Sequence, residues 1–261
     1  MRLPPFFGLL LLTLLSHCSR EPEKLIIGTD ATYPPFEFKD EQGQFSGVSV
    51  DMGKALASYL GRPAEFKNIA FDGLIPALQT QSIDIIISSM TANEQRRQTL
   101  DFSDPYANTC ICLLVAKNSP LKSGEELKTG KRRVVTKIAT TGMQWAQQHL
   151  PDAEVVALDN DPACVMEVAT GKADAWIYDQ ISVMGYAERN SETTRAELKP
   201  LNVENWAIAL RQGQAPLREQ INAFLKDYRA KGGFERLAEK YLATQRAQMK
   251  AAGIPFIFDV Q

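Results

Sequence analysis

The sequence predicts an α/β fold. Short apolar runs of strand length alternate with segments of helical period, an order that implies a mainly parallel sheet. Three consecutive strand-to-helix junctions carry polar and aromatic side chains suited to a small zwitterion. A β-rich run, Thr109–Ala116, then breaks the alternation and reads as a crossing to a second domain. With 261 residues the chain has the length for one large or two modest domains and an ample core.

Charge narrows the function. Lys and Arg number 29 and Asp and Glu 31, a balance that argues against a nucleic-acid or polybasic membrane surface as the main role. After the N-terminal segment no apolar run is long enough to predict a transmembrane helix. The N-terminus differs: Arg2, the apolar stretch Leu3–Leu15 and Ser16-His17-Cys18 read as an export signal over residues 1–18. Leu15-Ser16-His17-Cys18 resembles a bacterial lipoprotein cleavage box, with His17 where a small residue is usual. The resemblance implies lipidation of Cys18, with simple export or an uncleaved anchor as alternatives. Residues 19–23 form a short tether.

Lys24–Thr29 reads as a buried strand, and Pro34 and Pro35 hold the following segment extended, so Asp30 and Tyr33 sit just past a strand end. Asp40–Gly43 is a turn. A helix opens at Gly47–Asp51 and runs to about Leu60, with Met52, Leu56, Tyr59 and Leu60 as its apolar positions and Gly61 as its stop. Strand Ala64–Ile69 leads to a short helix from Phe71 to Leu78, for which Asp72 is the predicted cap. Strand Asp84–Ile87 leads to Ser88-Ser89-Met90-Thr91 and a polar segment that starts a helix near Arg96.

Beyond the crossing, a short element starts at Glu125–Leu127. Lys131–Ile138, Val155–Leu158 and Ala173–Asp179 read as strands, and Met143–His149, Asp161–Ala169 and Ser182–Arg189 as helices. Thr140, Thr141 and the free N–H groups at the start of the first of these helices make a natural anion site. Leu198–Trp206 returns toward the first domain. A strand, Ala207–Leu210, and two helices, Leu217–Lys231 and Phe234–Arg246, follow, and residues 249–261 form an apolar tail without an assigned role. Cys110 and Cys112 lie two apart on one strand, a poor geometry for a bridge, and read as buried small apolar residues, with a bridge to Cys164 left open. None has metal-ligand spacing. No metal and no cofactor is expected.

The side chains at the junctions define the candidate site. Arg96 offers a permanently charged fork suited to a carboxylate, and Ser89 and Thr91 offer hydroxyls and N–H groups beyond a strand end. Together with Asp30, Tyr33 and Phe71 they point to the α-carboxylate and α-ammonium of a free amino acid. A strand end, a helix cap and a surface arginine remain the plain alternative for the Arg96 stretch.

With these residues in place, the chain resembles the polar amino-acid solute-binding proteins of bacterial ABC importers. The resemblance is carried by Gly28–Phe38, Phe71–Leu78, Asp84–Thr91, Asp101–Tyr106 and Ala173–Ala175, in the family's order and spacing, and covers Lys24 to about Leu242. It implies a two-lobe periplasmic-binding-protein fold of type II, with a ligand cleft between lobes joined by two hinge strands. Lobe one would comprise 24–105 and 207–248, lobe two 111–202, with hinges near Tyr106–Cys110 and Val203–Trp206. By the same resemblance, Arg96 binds the α-carboxylate with backbone donors from Thr91 and Thr141. Ser89, Thr91 and Asp179 hold the α-ammonium, and Tyr33 and Phe71 flank the aliphatic part. Asp30, Ser88, Lys137 and Tyr178 surround the distal end. Glu37 reads as structural or rim.

The sequence departs from the family at Ser89 and Ala139, where glycine is frequent, and at Lys137, where glutamine is. Lys137 with Asp30 is similar to glutamine-binding members. Tyr33 with Ser88–Thr91 is similar to lysine/arginine/ornithine-binding members. A buried Lys137 repels a cationic ligand end unless Asp30 neutralises it, and on this ground glutamine is favoured over arginine or lysine. The expected partners are the free amino acid and an inner-membrane permease. The protein is expected to be a monomer that reaches the membrane only through its lipid anchor. Two other functions stay open: an enzyme of cyclohexadienyl dehydratase type, for which only Glu37 and Lys137 are candidate acid–base groups, and an amino-acid sensor without transport.

Overall fold

A computed structural model describes residues 23–260. The expected export signal, Cys18 and all but the last residue of the expected tether lie outside the described residues. The first part of the chain forms β1 (Leu25–Thr29), β2 (Thr32–Tyr33), β3 (Glu37–Lys39), β4 (Phe45–Ser46), α1 (Val48–Tyr59), β5 (Ala64–Asn68), α2 (Phe71–Gln79), β6 (Ile85–Ile86), α3 (Glu94–Arg97) and β7 (Leu100–Phe102). Then come β8 (Ala107–Ala116), a 3-10 turn (Gly124–Lys128), β9 (Arg133–Lys137), α4 (Thr141–His149), β10 (Glu154–Leu158), α5 (Asp161–Ala169), β11 (Ala175–Asp179), α6 (Gln180–Arg189) and β12 (Thr194–Trp206). The chain closes with β13 (Ala209–Arg211), α7 (Ala215–Ala230), α8 (Gly233–Tyr241) and α9 (Ala243–Ala251).

These elements build a bilobed periplasmic-binding-protein architecture. The first lobe carries a five-stranded sheet in the order β5-β1-β6-β13-β7, the second a five-stranded sheet in the order β10-β9-β11-β8-β12. Both sheets are mixed, which corrects the expectation of a mainly parallel sheet. β5, β1 and β6 are parallel, as are β10, β9 and β11, but β13 and β7 pair antiparallel in one sheet and β8 and β12 in the other. The reason is connectivity. β8 brings the chain into the second lobe and β13 follows its return to the first, and each runs against the βα strands of its sheet, whereas β12, antiparallel to β8, runs in their direction at the sheet edge. β12 follows β8 from Thr194–Ala116 to Trp206–Ala107, with an irregularity between Glu197 and Asn202.

Local details amend several elements. Met52 and Leu56 of α1 are buried, but Tyr59 is half exposed and lies against the Phe224 ring. Gly61 follows the helix at φ +67, the left-handed stop that glycine accommodates. Asp72 does not cap α2: the cap position is Ala70, and Asp72 sits in the first turn, where it complements the helix dipole. The single helix expected over Phe234–Arg246 is two, α8 and α9, divided at Leu242, whose φ of −123 leaves the helical range while its side chain is fully buried. Burying Leu242 outweighs continuing the helix. The tail is packed, with Phe256, Ile257 and Phe258 buried, the Ile257 carbonyl accepting from the Asn108 N–H at 2.7 Å and the Phe258 carbonyl from Arg229 at 2.7 Å. It thus braces the start of β8. Cys110, Cys112 and Cys164 are buried and free.

Candidate functional site

The carboxyl ends of the parallel strands in each lobe face one another across a small polar cavity. Every residue singled out from the sequence as a ligand contact lines it, from Asp30 and Tyr33 through Phe71, Ser88, Ser89, Thr91 and Arg96 to Lys137, Thr140, Thr141, Tyr178 and Asp179. Glu37, assigned to the rim from sequence, also lines it and is buried.

Arg96 stands on α3, whose start is fixed by the Asn93 side chain accepting from the Arg96 N–H at 2.9 Å. Its guanidinium donates to the Thr91 carbonyl at 2.8 Å and, across the cleft, to the Ala139 carbonyl at 3.1 Å. It also lies 5.4 Å from the centre of the Phe71 ring. Burial pulls its pKa down to about 10, opposed by the nearby Glu204 and Asp179 carboxylates, so it keeps its charge at neutral pH. With two of its five N–H donors engaged, the rest remain for an anion.

At the other end, Lys137 closes β9 and Asp30 follows β1. Lys137 Nζ donates to Asp30 Oδ2 at 2.8 Å and to Thr32 Oγ1 at 3.2 Å, and both ionic side chains are almost fully buried. The Ser88 hydroxyl accepts from the Asp30 N–H at 2.9 Å. Tyr178 stacks on Trp176 and meets Tyr33 edge-on at 5.9 Å between ring centres. Tyr33 donates its hydroxyl to Asp179 Oδ2 at 3.3 Å. Burial, with the Glu204 charge second, raises the Asp179 pKa well above the ordinary carboxyl range, a condition that an ammonium group would relieve.

Ser89 and Ala139 have φ of +46 and +60, the left-handed region in which glycine is at ease. That accounts physically for the glycines frequent at both places in the resembling family. Ser89 turns its hydroxyl to Glu37 Oε2 at 3.1 Å. Thr140 is the cap position of α4, but its hydroxyl donates to the Lys137 carbonyl at 2.6 Å instead of capping the helix.

One functional side chain escaped the sequence reading altogether. Glu204, on β12, is buried, and its Oε2 accepts from the Thr91 hydroxyl at 2.7 Å and the Thr141 hydroxyl at 2.8 Å. The signal was present: strand alternation puts Glu204 on the same inward face as Trp206.

Two lobes enclosing a small polar cavity whose walls bear fixed charges of both signs define a binding protein for a small solute. The chain belongs to the bacterial extracellular solute-binding proteins, family 3, whose profile matches residues 25–244. That membership makes it a binding protein and not an enzyme. It is similar to the L-cystine-binding protein TcyJ of Escherichia coli K12 (28% identity over 224 residues, 85% of this chain and 84% of the relative). It is also similar to the L-arginine-binding protein of Pseudomonas aeruginosa (31% over 249 residues, 90% and 95%). Among solved structures it is similar to an ancestral arginine-binding protein. The arginine-bound form has a TM-score of 0.79 at 35% identity, covering 85% of this chain and 100% of that one. The glutamine-bound form has a TM-score of 0.77 at 35% identity, covering 85% and 99%. Among the described residues no group of three or more His, Cys, Asp or Glu is placed to hold a metal, and no helix is long and apolar enough to cross a membrane.

Glu37 makes stability pH-dependent. Burial raises its pKa from 4.5 to about 8, with the Ser49 and Ser89 hydroxyls pulling the other way. The folded protein therefore holds a proton that the unfolded chain releases above about 4.5, so folding binds a proton across this window. Stability falls as pH rises through it, by up to about 1.4 kcal/mol per pH unit from this group. Urea unfolding of wild type and Glu37→Gln between pH 5 and 8 should show a shallower decline in the variant, and identical slopes would rule this out.

Proposed function

We propose that this protein binds a free polar L-amino acid, glutamine in preference to arginine or lysine, and delivers it to the permease of an ABC importer. The observation that carries this reading is the buried Lys137–Asp30 pair, 2.8 Å apart. Because Asp30 is already paired, a guanidinium or ammonium at the distal end would have to compete with Lys137 for it. Glu37 beside them is largely protonated at neutral pH. Asp161 lines the adjoining cleft with Ser182 and Tyr186, yet it bonds Tyr178 and interacts with both Lys137 and Asp30, so it stands behind the distal end as a second acid whose pKa burial raises to about 6. In the cavity wall itself the pair presents a donor and an acceptor with little free charge, to which a primary amide is complementary.

In this reading Arg96 takes the α-carboxylate with its unengaged donors, supported by the N–H groups of Thr91 and Thr141 at the Thr140 end of α4. Ser89, Thr91 and Asp179 accept from the α-ammonium. Tyr33 and Phe71 flank the methylene chain, and Asp30, Ser88, Lys137 and Tyr178 meet the amide. Residues 24–105 with 207–248, and 111–202, act as the lobes. Closure buries the ligand and forms the face that the permease meets. The protein works as a monomer at the extracytoplasmic membrane surface, anchored through a lipid on Cys18. Relatives of similar identity are named for cystine and arginine, so ligand choice rests on this chain's own distal residues.

Isothermal titration with the twenty amino acids tests the reading. Arg96→Ala should lose binding of every amino acid that wild type binds, by on the order of 2–5 kcal/mol. Retention within about threefold of wild-type affinity, well under 1.4 kcal/mol, would remove Arg96 from the role. Wild type should bind glutamine more tightly than arginine or lysine, and Lys137→Gln should shift preference toward the basic ligands by freeing Asp30. Tight arginine binding in wild type, unchanged in Lys137→Gln, would favour a basic ligand instead. In a bacterial host the protein should incorporate labelled fatty acid and partition into detergent, and Cys18→Ser should abolish both. A lipid-free mature N-terminus would replace anchoring with simple export.

A further inference from the structure

Glu204 does not line the cavity, yet it touches two residues that do. It stands on β12, the strand that carries the chain back from the second lobe, opposite Thr109 of β8. Thr91 reaches it from the loop after β6 in the first lobe and Thr141 from the first turn of α4 in the second. Both hydroxyls end on the same oxygen, Oε2. The other oxygen, Oε1, accepts from the Asn202 side chain at 3.3 Å. Only 2% of Glu204 is exposed, so its demand for donors is met by protein groups.

The direction of these bonds has a consequence inside the cavity. A threonine hydroxyl has one proton to donate and two lone pairs with which to accept. A carboxylate oxygen can only accept, so both hydroxyl protons point at Glu204. What Thr91 and Thr141 can then offer a ligand from their hydroxyls is lone pairs. Two hydroxyls able to donate or accept become acceptors, on the side of the site where Asp179 already stands. Glu204 adds its own negative charge behind them, and that charge acts on both Arg96 and Asp179.

We infer that Glu204 is a positioning residue for ligand selection: by taking the hydroxyl protons of Thr91 and Thr141, one from each lobe, it makes the closed cavity accept from an ammonium group and disfavours α-substituents that lack one. This deepens the amino-acid reading and rests on it. Glutamine at position 204 has nearly the same shape. Its amide oxygen accepts more weakly, its NH₂ group can turn to donate, and the threonine hydroxyls are then free to turn toward the cavity.

The test compares L-glutamine with its α-hydroxy analogue, in which a hydroxyl replaces the ammonium, by titration against wild type and Glu204→Gln, with folding checked by circular dichroism. Wild type should strongly prefer the amine, and Glu204→Gln should narrow the ratio of the two affinities about tenfold. A purely structural role would lower both affinities together and leave the ratio unchanged, and that result overturns the inference while leaving amino-acid binding intact. If wild type binds no amino acid at all, the functional reading falls and this inference with it. Should Glu204→Gln fail to fold, the same ratio is read on Thr141→Ser and Thr141→Val. The serine variant keeps the hydroxyl and should keep the preference, and the valine variant should lose part of it. Equal ratios in the two would overturn the role of the Glu204–Thr141 bond.

Discussion

Desolvated charge governs this structure. Closing two lobes on a polar cavity takes Arg96, Lys137, Asp30, Glu37 and Glu204 almost completely out of water. Each such group costs several kcal/mol unless paired or neutralised. Three solutions appear side by side. Lys137 and Asp30 compensate each other in a direct ion pair. Glu37 keeps its proton and receives a hydroxyl bond from Ser89. Glu204 accepts hydrogen bonds from three side-chain donors. Arg96 is left with bonds only to carbonyl oxygens and spare donors, which makes it the place where an added anion brings the largest gain.

The crossing strands make this arrangement possible. β8 and β12 pair along their length, and the Thr91–Trp206 bridge ties the Arg96 loop to the end of β12. Strand ends from both lobes are therefore held within reach of one cavity. Polar contacts that span the cleft include Lys137 to Asp30, Arg96 to the Ala139 carbonyl, Tyr33 to Asp179, and Asn93 to Gln144, beside the edge-on contact of Tyr33 with Tyr178. The polar bonds exchange readily with water when the lobes separate. An interface of this composition suits a hinge that opens and closes.

How legible all this was in the sequence follows from the same physics. Positions at βα junctions were readable because an apolar run, a turn residue and a helix start mark where a strand ends, and strand ends are where ligands sit in open α/β sheets. The parallel order was over-read, because alternation of elements does not reveal that β8 and β13, next to the crossings between lobes, run against the βα strands of their sheets. The break at Leu242 was hidden, since neither glycine nor proline marks it and the burial that causes it is tertiary. Glu37 follows a two-proline segment and belongs to a hairpin instead of a βα junction, so it was set aside. Glu204 was missed because a carboxylate in a strand with exposed neighbours on both sides reads as solvated. Its burial depends on two threonines far away in sequence.

Ser89 and Ala139 show how the site combines strain with function. A non-glycine residue at positive φ costs on the order of 1 kcal/mol or more, and two of them stand at the site, Ser89 in the cavity wall and Ala139 next to Thr140 of that wall. Part of that cost is offset in the unfolded chain, which is less flexible with serine and alanine than with two glycines. The remainder is set against specific bonds: the Ser89 hydroxyl satisfies Glu37, and the turn at Ala139 aims its carbonyl at Arg96. The first bond holds a buried acid in place, and the second links the lobes through the residue proposed to hold the ligand's carboxylate. A left-handed turn at each position directs these groups inward, whereas an extended backbone would carry the chain past the cavity. The strain is local, and it lies where the two lobes must meet.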